Sequence, residues 1–168
     1  MKGLLNTILL LMRLALAALF LFAAWQKLKP GTDLVVDSGP QKFAQAIQGF
    51  RILPEHLVYL ATGVIPWLEV LCALLLIVGV WTRAAAWLLA LLLAGFTAAV
   101  VSVLLRGMSL TCGCFGDLTL LCPKGTMGWC KVAENLLILA PALLIARFGG
   151  GWLDWDRPAR PFALRPPG

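Results

Sequence analysis

The sequence predicts an all-α fold, a polytopic membrane four-helix bundle with two long loops on one side. Three observations predict it. The 168 residues are 61% hydrophobic and 13% charged, with a mean hydropathy of +0.90; a soluble domain is nearer half apolar and a quarter charged. Four apolar runs approach or exceed the ~20 residues that a helix needs to cross a bilayer. The segments between them alternate in kind: a long polar stretch, a tight turn, then a long cysteine-bearing loop. The length suits one domain. A net charge of +6 and a pI of about 9.4 would suggest nucleic acid in a soluble protein. Here the basic residues flank apolar runs, so they read as headgroup contacts and topology signals. No nucleic-acid motif is present, and the lipid bilayer is the first partner implied.

Residues 4–25 form the first span, interrupted only by Asn6, Thr7 and Arg13. Lys2 and the Ala23-Ala24 pair give it some likeness to a cleaved signal peptide. The run is too long for a signal h-region and carries an internal arginine, so it reads as a spanning helix. Pro30-Gly31 turns the chain. Over residues 40–51, Phe43, Ile47 and Phe50 recur at helical spacing with Gln and Lys between them. That pattern predicts a short amphipathic helix lying on the membrane surface. Pro54 precedes the second span, residues 59–80, which contains Pro66 and Glu69. Trp81-Thr82-Arg83 makes the tight connection to the third span, residues 84–105. Residues 106–131 form the cysteine loop, and residues 132–148 the fourth span, kinked or interrupted at Pro141. These elements make up a domain over residues 1–148; the Pro- and Arg-rich tail, 149–168, has the composition of a disordered segment.

Four spans put both termini on one side and both long loops on the other. Trp25, Trp67 and Trp129 fall toward span ends on the loop side, and Trp81, Trp87 and Trp152 on the opposite side, as amphipathic rings prefer. Basic residues are balanced, six on the terminal side against seven on the loop side, so the compartment is read from the cysteines. Clustered cysteines favour an oxidising compartment. The cysteine loop is therefore placed outside the cytoplasm and the termini inside it.

Four of the five cysteines, Cys112, Cys114, Cys122 and Cys130, lie in that loop. Cys112 and Cys114 are separated by Gly113. So close a pair can close only a small, strained disulfide, which strain makes easier to reduce. Glycine supplies the backbone freedom that the ring demands. Arg106, Lys124 and Lys131 in the same loop, with Lys27, Lys29 and His56 nearby, favour the thiolate. Cys122 and Cys130 form a second thiol pair or a structural disulfide, and four cysteines allow three connectivities. Purely structural bridges are the alternative. A zinc site is a poorer match, because zinc pairs usually have two to four intervening residues; no metal is assigned.

Arg13 and Glu69 are the charges deepest within the spans, each some nine or ten residues from a span end. A charge there costs at least ~2.5–3.5 kcal/mol unless it is paired. Arg13 and Glu69 are thus expected to share a polar network, either a structural ion pair or a proton-handling group. Cys72, one turn after Glu69, shares its helix face. Glu134 and Asn135 open the fourth span beside the cysteine loop. A helix-start acid is favoured by the macrodipole, and its position also allows a proton-accepting role.

Taken together, Pro30, the Phe43-to-Pro54 segment, Ile65-Pro66-Trp67-Leu68-Glu69, Cys112-Gly113-Cys114-Phe115-Gly116, Gly128-Trp129 and Asn135 resemble the MauE branch of the DoxX-like membrane proteins. The resemblance covers roughly Trp25 to Arg147. It implies a four-helix inner-membrane protein linked to methylamine utilisation. It also implies support for maturation of a disulfide-rich periplasmic methylamine dehydrogenase subunit. The partner implied is a periplasmic dithiol or disulfide protein, and the activity thiol–disulfide oxidoreduction; a non-enzymatic assembly or export helper and a thiolate metal carrier are the alternatives. Pro66, Trp67, Glu69, Cys112, Cys114, Phe115, Gly116 and Asn135 carry over from the family pattern. Cys122 and Cys130 are additions to it, and Glu134 stands where many relatives have arginine. A quinone enters as a cofactor only by analogy with other four-helix membrane oxidases.

Overall fold

The computed structural model describes residues 2–30, 38–51, 54–107 and 128–149. Those residues form five helices: α1 (Lys2–Leu28), α2 (Gly39–Gly49), α3 (Glu55–Val78), α4 (Thr82–Leu105) and α5 (Trp129–Phe148). Among the described residues α1, α3, α4 and α5 are long and apolar enough to cross a membrane. The chain is a polytopic helical membrane protein. Cys112, Cys114 and Cys122, and the tail from residue 150, lie outside the described residues.

The four long helices close a ring. α1 packs on α3, α3 on α4, α4 on α5, and α5 returns to α1. Lipid tails give helices no hydrophobic reason to associate, so contact depends on close packing, which small residues allow. Ala17, Ala23 and Ala24 of α1, Ala73 of α3, Ala85, Ala86 and Ala90 of α4, and Ala142 and Ala146 of α5 are all buried at these seams. The large residues point the other way: Leu11, Trp25, Leu60, Trp67, Leu91 and Leu137 are all exposed. A soluble protein would not carry so much exposed apolar surface; in lipid it is the solvated face.

The connections follow local chemistry. Gly79, at φ 89°, ends α3 in the left-handed conformation, which glycine adopts without strain. Trp81, at φ 52°, completes the tight turn into α4. Gly149 ends α5 with its N–H on the Ile145 carbonyl at 2.8 Å.

α2 is not simply laid on lipid. Its apolar face is turned into the protein: Phe43 and Ile47 are buried with Val58 of α3. The reason is an offset between α1 and α3. Lys27, near the end of α1, meets Glu69, so about three turns of α3 continue beyond the end of α1. α2 fills that step. It can do so because of Gly39, whose N–H donates to the Lys29 carbonyl at 3.0 Å. A Cβ there would sit 2.4 Å from the Gln26 oxygen and 2.7 Å from the Lys27 oxygen, both backbone atoms. Gly39→Ala is therefore expected to lift α2 and cost about 1–3 kcal/mol, the usual range for overpacking. Faster limited proteolysis around α2, with a lower melting temperature, is the measurement.

Candidate functional site

The buried face of α1 runs Leu9, Arg13, Leu16, Ala17, Phe20, Ala23, Ala24, Lys27. These are steps of three and four, the spacing of one helix face. Both cations on that face are buried, Arg13 at 1% and Lys27 at 3% exposure. They are fourteen residues apart, about 21 Å along the axis; Arg13 meets the last turn of α3 and Lys27 its interior.

Arg13 and Glu69, expected to share a polar network, each have a hydrogen bond to a different group. Lys27 Nζ donates to Glu69 Oε1 at 2.5 Å, with both side chains 3% exposed. Arg13 Nη2 instead donates to the Ile77 carbonyl at 3.1 Å. Ile77 lies eight residues, or about 12 Å, beyond Glu69 along α3. Its carbonyl belongs to the last turn of α3, which has no intrahelical donors, and a guanidinium there also suits the negative end of the helix dipole. Arg13 thus helps cap α3. Arg13→Met is expected to cost about 1.5–3 kcal/mol, the range for a hydrogen bond to a charged group. Denaturant unfolding in mixed micelles checks it, and Arg13→Lys should recover part of the loss.

The Lys27–Glu69 pair is closed over by aromatic rings. The Lys27 ammonium lies 4.9 Å from the centroid of Phe43 on α2 and 5.3 Å from that of Phe96 on α4. The two rings are 5.9 Å apart and inclined at 52°. A desolvated ammonium between ring faces gains as much as ~2 kcal/mol from each favourable contact. Helices α1, α2, α3 and α4 therefore converge on one cation. Glu69 Oε2 accepts no hydrogen bond among the described residues. Cys72, one turn on, is buried at 4% and free.

A second buried pair stands where the cysteine loop rejoins the bundle. Lys131 Nζ donates to Glu134 Oε2 at 2.9 Å across one turn of α5, with the side chains 5% and 2% exposed. Glu134 is therefore an interior ion-pair partner; because α5 begins at Trp129, it stands in the second turn and not at the helix start that the sequence suggested. Asn135, next to it, is buried at 2% with Oδ1 accepting no hydrogen bond among the described residues. Cys130 precedes Lys131, is exposed, and is disulfide-bonded. The thiols proposed for exchange, Cys112 and Cys114, fall between the end of α4 and this pair in sequence, outside the described residues.

Sequence reasoning placed Lys27 and Lys131 in loops as thiolate-favouring cations and missed that both are buried. The signal was present. Continuing the α1 stripe from Arg13 by threes and fours reaches Lys27, and continuing the α5 stripe of Ala142, Ile138, Asn135 and Glu134 backwards reaches Lys131. Phe43 and Phe96, which enclose Lys27, were also unforeseen as a pair.

An apolar cleft of about 590 Å³ lies between α2, α3 and α4, with Phe50, Ile65, Leu68, Leu91, Gly95 and Phe96 among its walls. Phe96 separates it from the Lys27 ammonium. All its lining side chains are hydrocarbon, whereas a quinone ring needs donors for its two carbonyls. The cleft does not fit a quinone head. Among the described residues no group of three or more His, Cys, Asp or Glu is placed to hold a metal.

The profile of the family "Methylamine utilisation protein MauE" matches residues 5–148. The methylamine utilization protein MauE of Paracoccus denitrificans is 33% identical over 136 residues, which cover 80% of this chain and 66% of that protein. The chain thus spans just under two thirds of that relative's length. No solved structure matches this chain.

Proposed function

This chain belongs to the methylamine utilisation protein MauE family, and from that membership we propose that it is a membrane thiol–disulfide exchange protein supporting maturation of a periplasmic partner. The partner would be a disulfide-rich protein such as a methylamine dehydrogenase-like subunit. The observation that carries this reading is the grouping of four of five cysteines within residues 112–130, ending at the disulfide-bonded Cys130. The remaining cysteine, Cys72, is buried in the bundle, away from that loop in sequence.

In this reading a partner thiolate attacks the Cys112–Cys114 disulfide and forms a mixed disulfide. The partner's second thiol displaces it. The partner leaves oxidised, and Cys112 and Cys114 each gain a proton. Exchange with a Cys122–Cys130 disulfide then restores the first pair, so each partner disulfide formed leaves one dithiol on this chain. Lys131–Glu134 holds the far end of the loop, and the Lys27–Glu69 pair holds the helices beneath it. The membrane is the bacterial inner membrane, with the loop in the periplasm and the termini in the cytoplasm.

The test is direct. A Cys114→Ser protein should trap mixed disulfides through Cys112, and the Cys112–Cys114 couple should have a potential above about −250 mV. A bridge that resists glutathione would instead support a non-enzymatic assembly helper, and stoichiometric metal on the thiols a carrier. A membrane-impermeant thiol reagent that fails to label the reduced loop in spheroplasts would reverse the topology.

A further inference from the structure

We infer that the cleft between α2, α3 and α4 holds one acyl chain of an anionic phospholipid, whose phosphate meets Arg51 and Arg106. Both the shape and the charge of the site argue for this occupant. The volume, about 590 Å³, lies within the ~300–1,000 Å³ of pockets that enclose a single elongated molecule. Its walls offer hydrocarbon and nothing to hydrogen-bond, so they suit a chain and not a ring with carbonyls. Leu91, at 67% exposure, and Gly95 lie along its open side, on α4, a helix apolar enough to face lipid. A chain can therefore enter sideways from the bilayer.

The polar end of the cleft is marked by charge. Phe50 forms its wall next to α2. The Arg106 guanidinium donates to the Phe50 carbonyl at 3.4 Å, which places it beside the cleft. Arg51 follows Phe50 directly, is exposed, and has φ 50°. Neither arginine pairs with a carboxylate among the described residues. Two cations with no carboxylate partner among the described residues, beside an apolar slot in a chain of net charge +6, match a phosphate carrying a hydrocarbon tail. Each arginine near a headgroup favours an anionic lipid by about fivefold.

The lipid would also tie α2 to α3 and α4, since Ile47 and Phe50 contribute walls from the α2 side. Native mass spectrometry of the full chain, equilibrated with equal amounts of phosphatidylglycerol and phosphatidylcholine, tests the site. The wild-type protein should keep one phosphatidylglycerol in preference to phosphatidylcholine. Arg51→Gln should reduce that preference about fivefold, and Arg51→Gln with Arg106→Gln about 25-fold. Gly95→Leu should lower retention of both lipids, because a Cβ at Gly95 meets nothing within 4 Å and the side chain enters open space in the cleft. If the arginine double variant fails to fold, Arg51→Gln and Gly95→Leu still decide. Equal retention of both lipids by the wild type would overturn the inference, as would undiminished retention by Gly95→Leu. Displacement of the phosphatidylglycerol by a neutral isoprenoid would overturn it as well.

Discussion

Glu69→Gln is expected to destabilise the protein by about 3–5 kcal/mol, the loss seen when one partner of a buried ion pair is removed. For a chain of this size that is on the order of 10 °C in melting temperature. The size of the effect comes from what remains behind. Lys27 stays 3% exposed, between Phe43 and Phe96, with its charge no longer neutralised. Lys27→Met should be similarly costly, because Glu69 would then keep a buried carboxylate with neither oxygen satisfied. The informative variant is the double one. Lys27→Met with Glu69→Leu removes both charges together, and apolar replacement of a whole buried pair is often neutral or stabilising. A double-mutant cycle on thermal unfolding in detergent should therefore show strong coupling. If the double variant is as unstable as the sum of the single ones, the pair is not a closed unit and Glu69 has another interior role.

Cys112→Ser and Cys114→Ser should each abolish maturation of the partner, to the level of membranes lacking the protein, while leaving the melting temperature unchanged. Exchange needs two sulfurs, so loss of either removes the turnover, though Cys114→Ser can still be captured midway. Cys122→Ser and Cys130→Ser should behave differently. If they form the second pair, each variant should yield one partner disulfide per molecule where the intact chain, with two disulfides, yields two. Counting partner disulfides formed per protein molecule separates the two cases. Equal maturation by wild type and Cys112→Ser would end the exchange proposal while leaving the bundle and its family membership untouched.

The helices were legible because the solvent is lipid. Where water is absent, backbone groups must bond within the segment, and long apolar runs could only be helices. Their ends extended by a few residues, into Lys27 and Leu28 for α1 and Trp129 for α5, because polar residues at span ends still continue the helix. Partner choice was less legible. Arg13 and Glu69 lie at similar distances from the ends of their runs, and depth alone suggested that they meet. Depth carries no information on the offset between α1 and α3. That offset leaves a step beyond the end of α1, which α2 fills through Gly39 and Phe43, residues far from either charge in sequence. The helical stripe along α1 did contain the answer, with Lys27 four turns after Arg13, but a lysine at a span end reads as a headgroup contact until its face is traced.

The seating of α2 bears on traffic between the site and the aqueous phase. With Gly39 wedged against the last carbonyls of α1 and Phe43 over the Lys27 ammonium, this short helix acts as a stopper. A solvent path to the carboxylate along that side needs this short helix to lift.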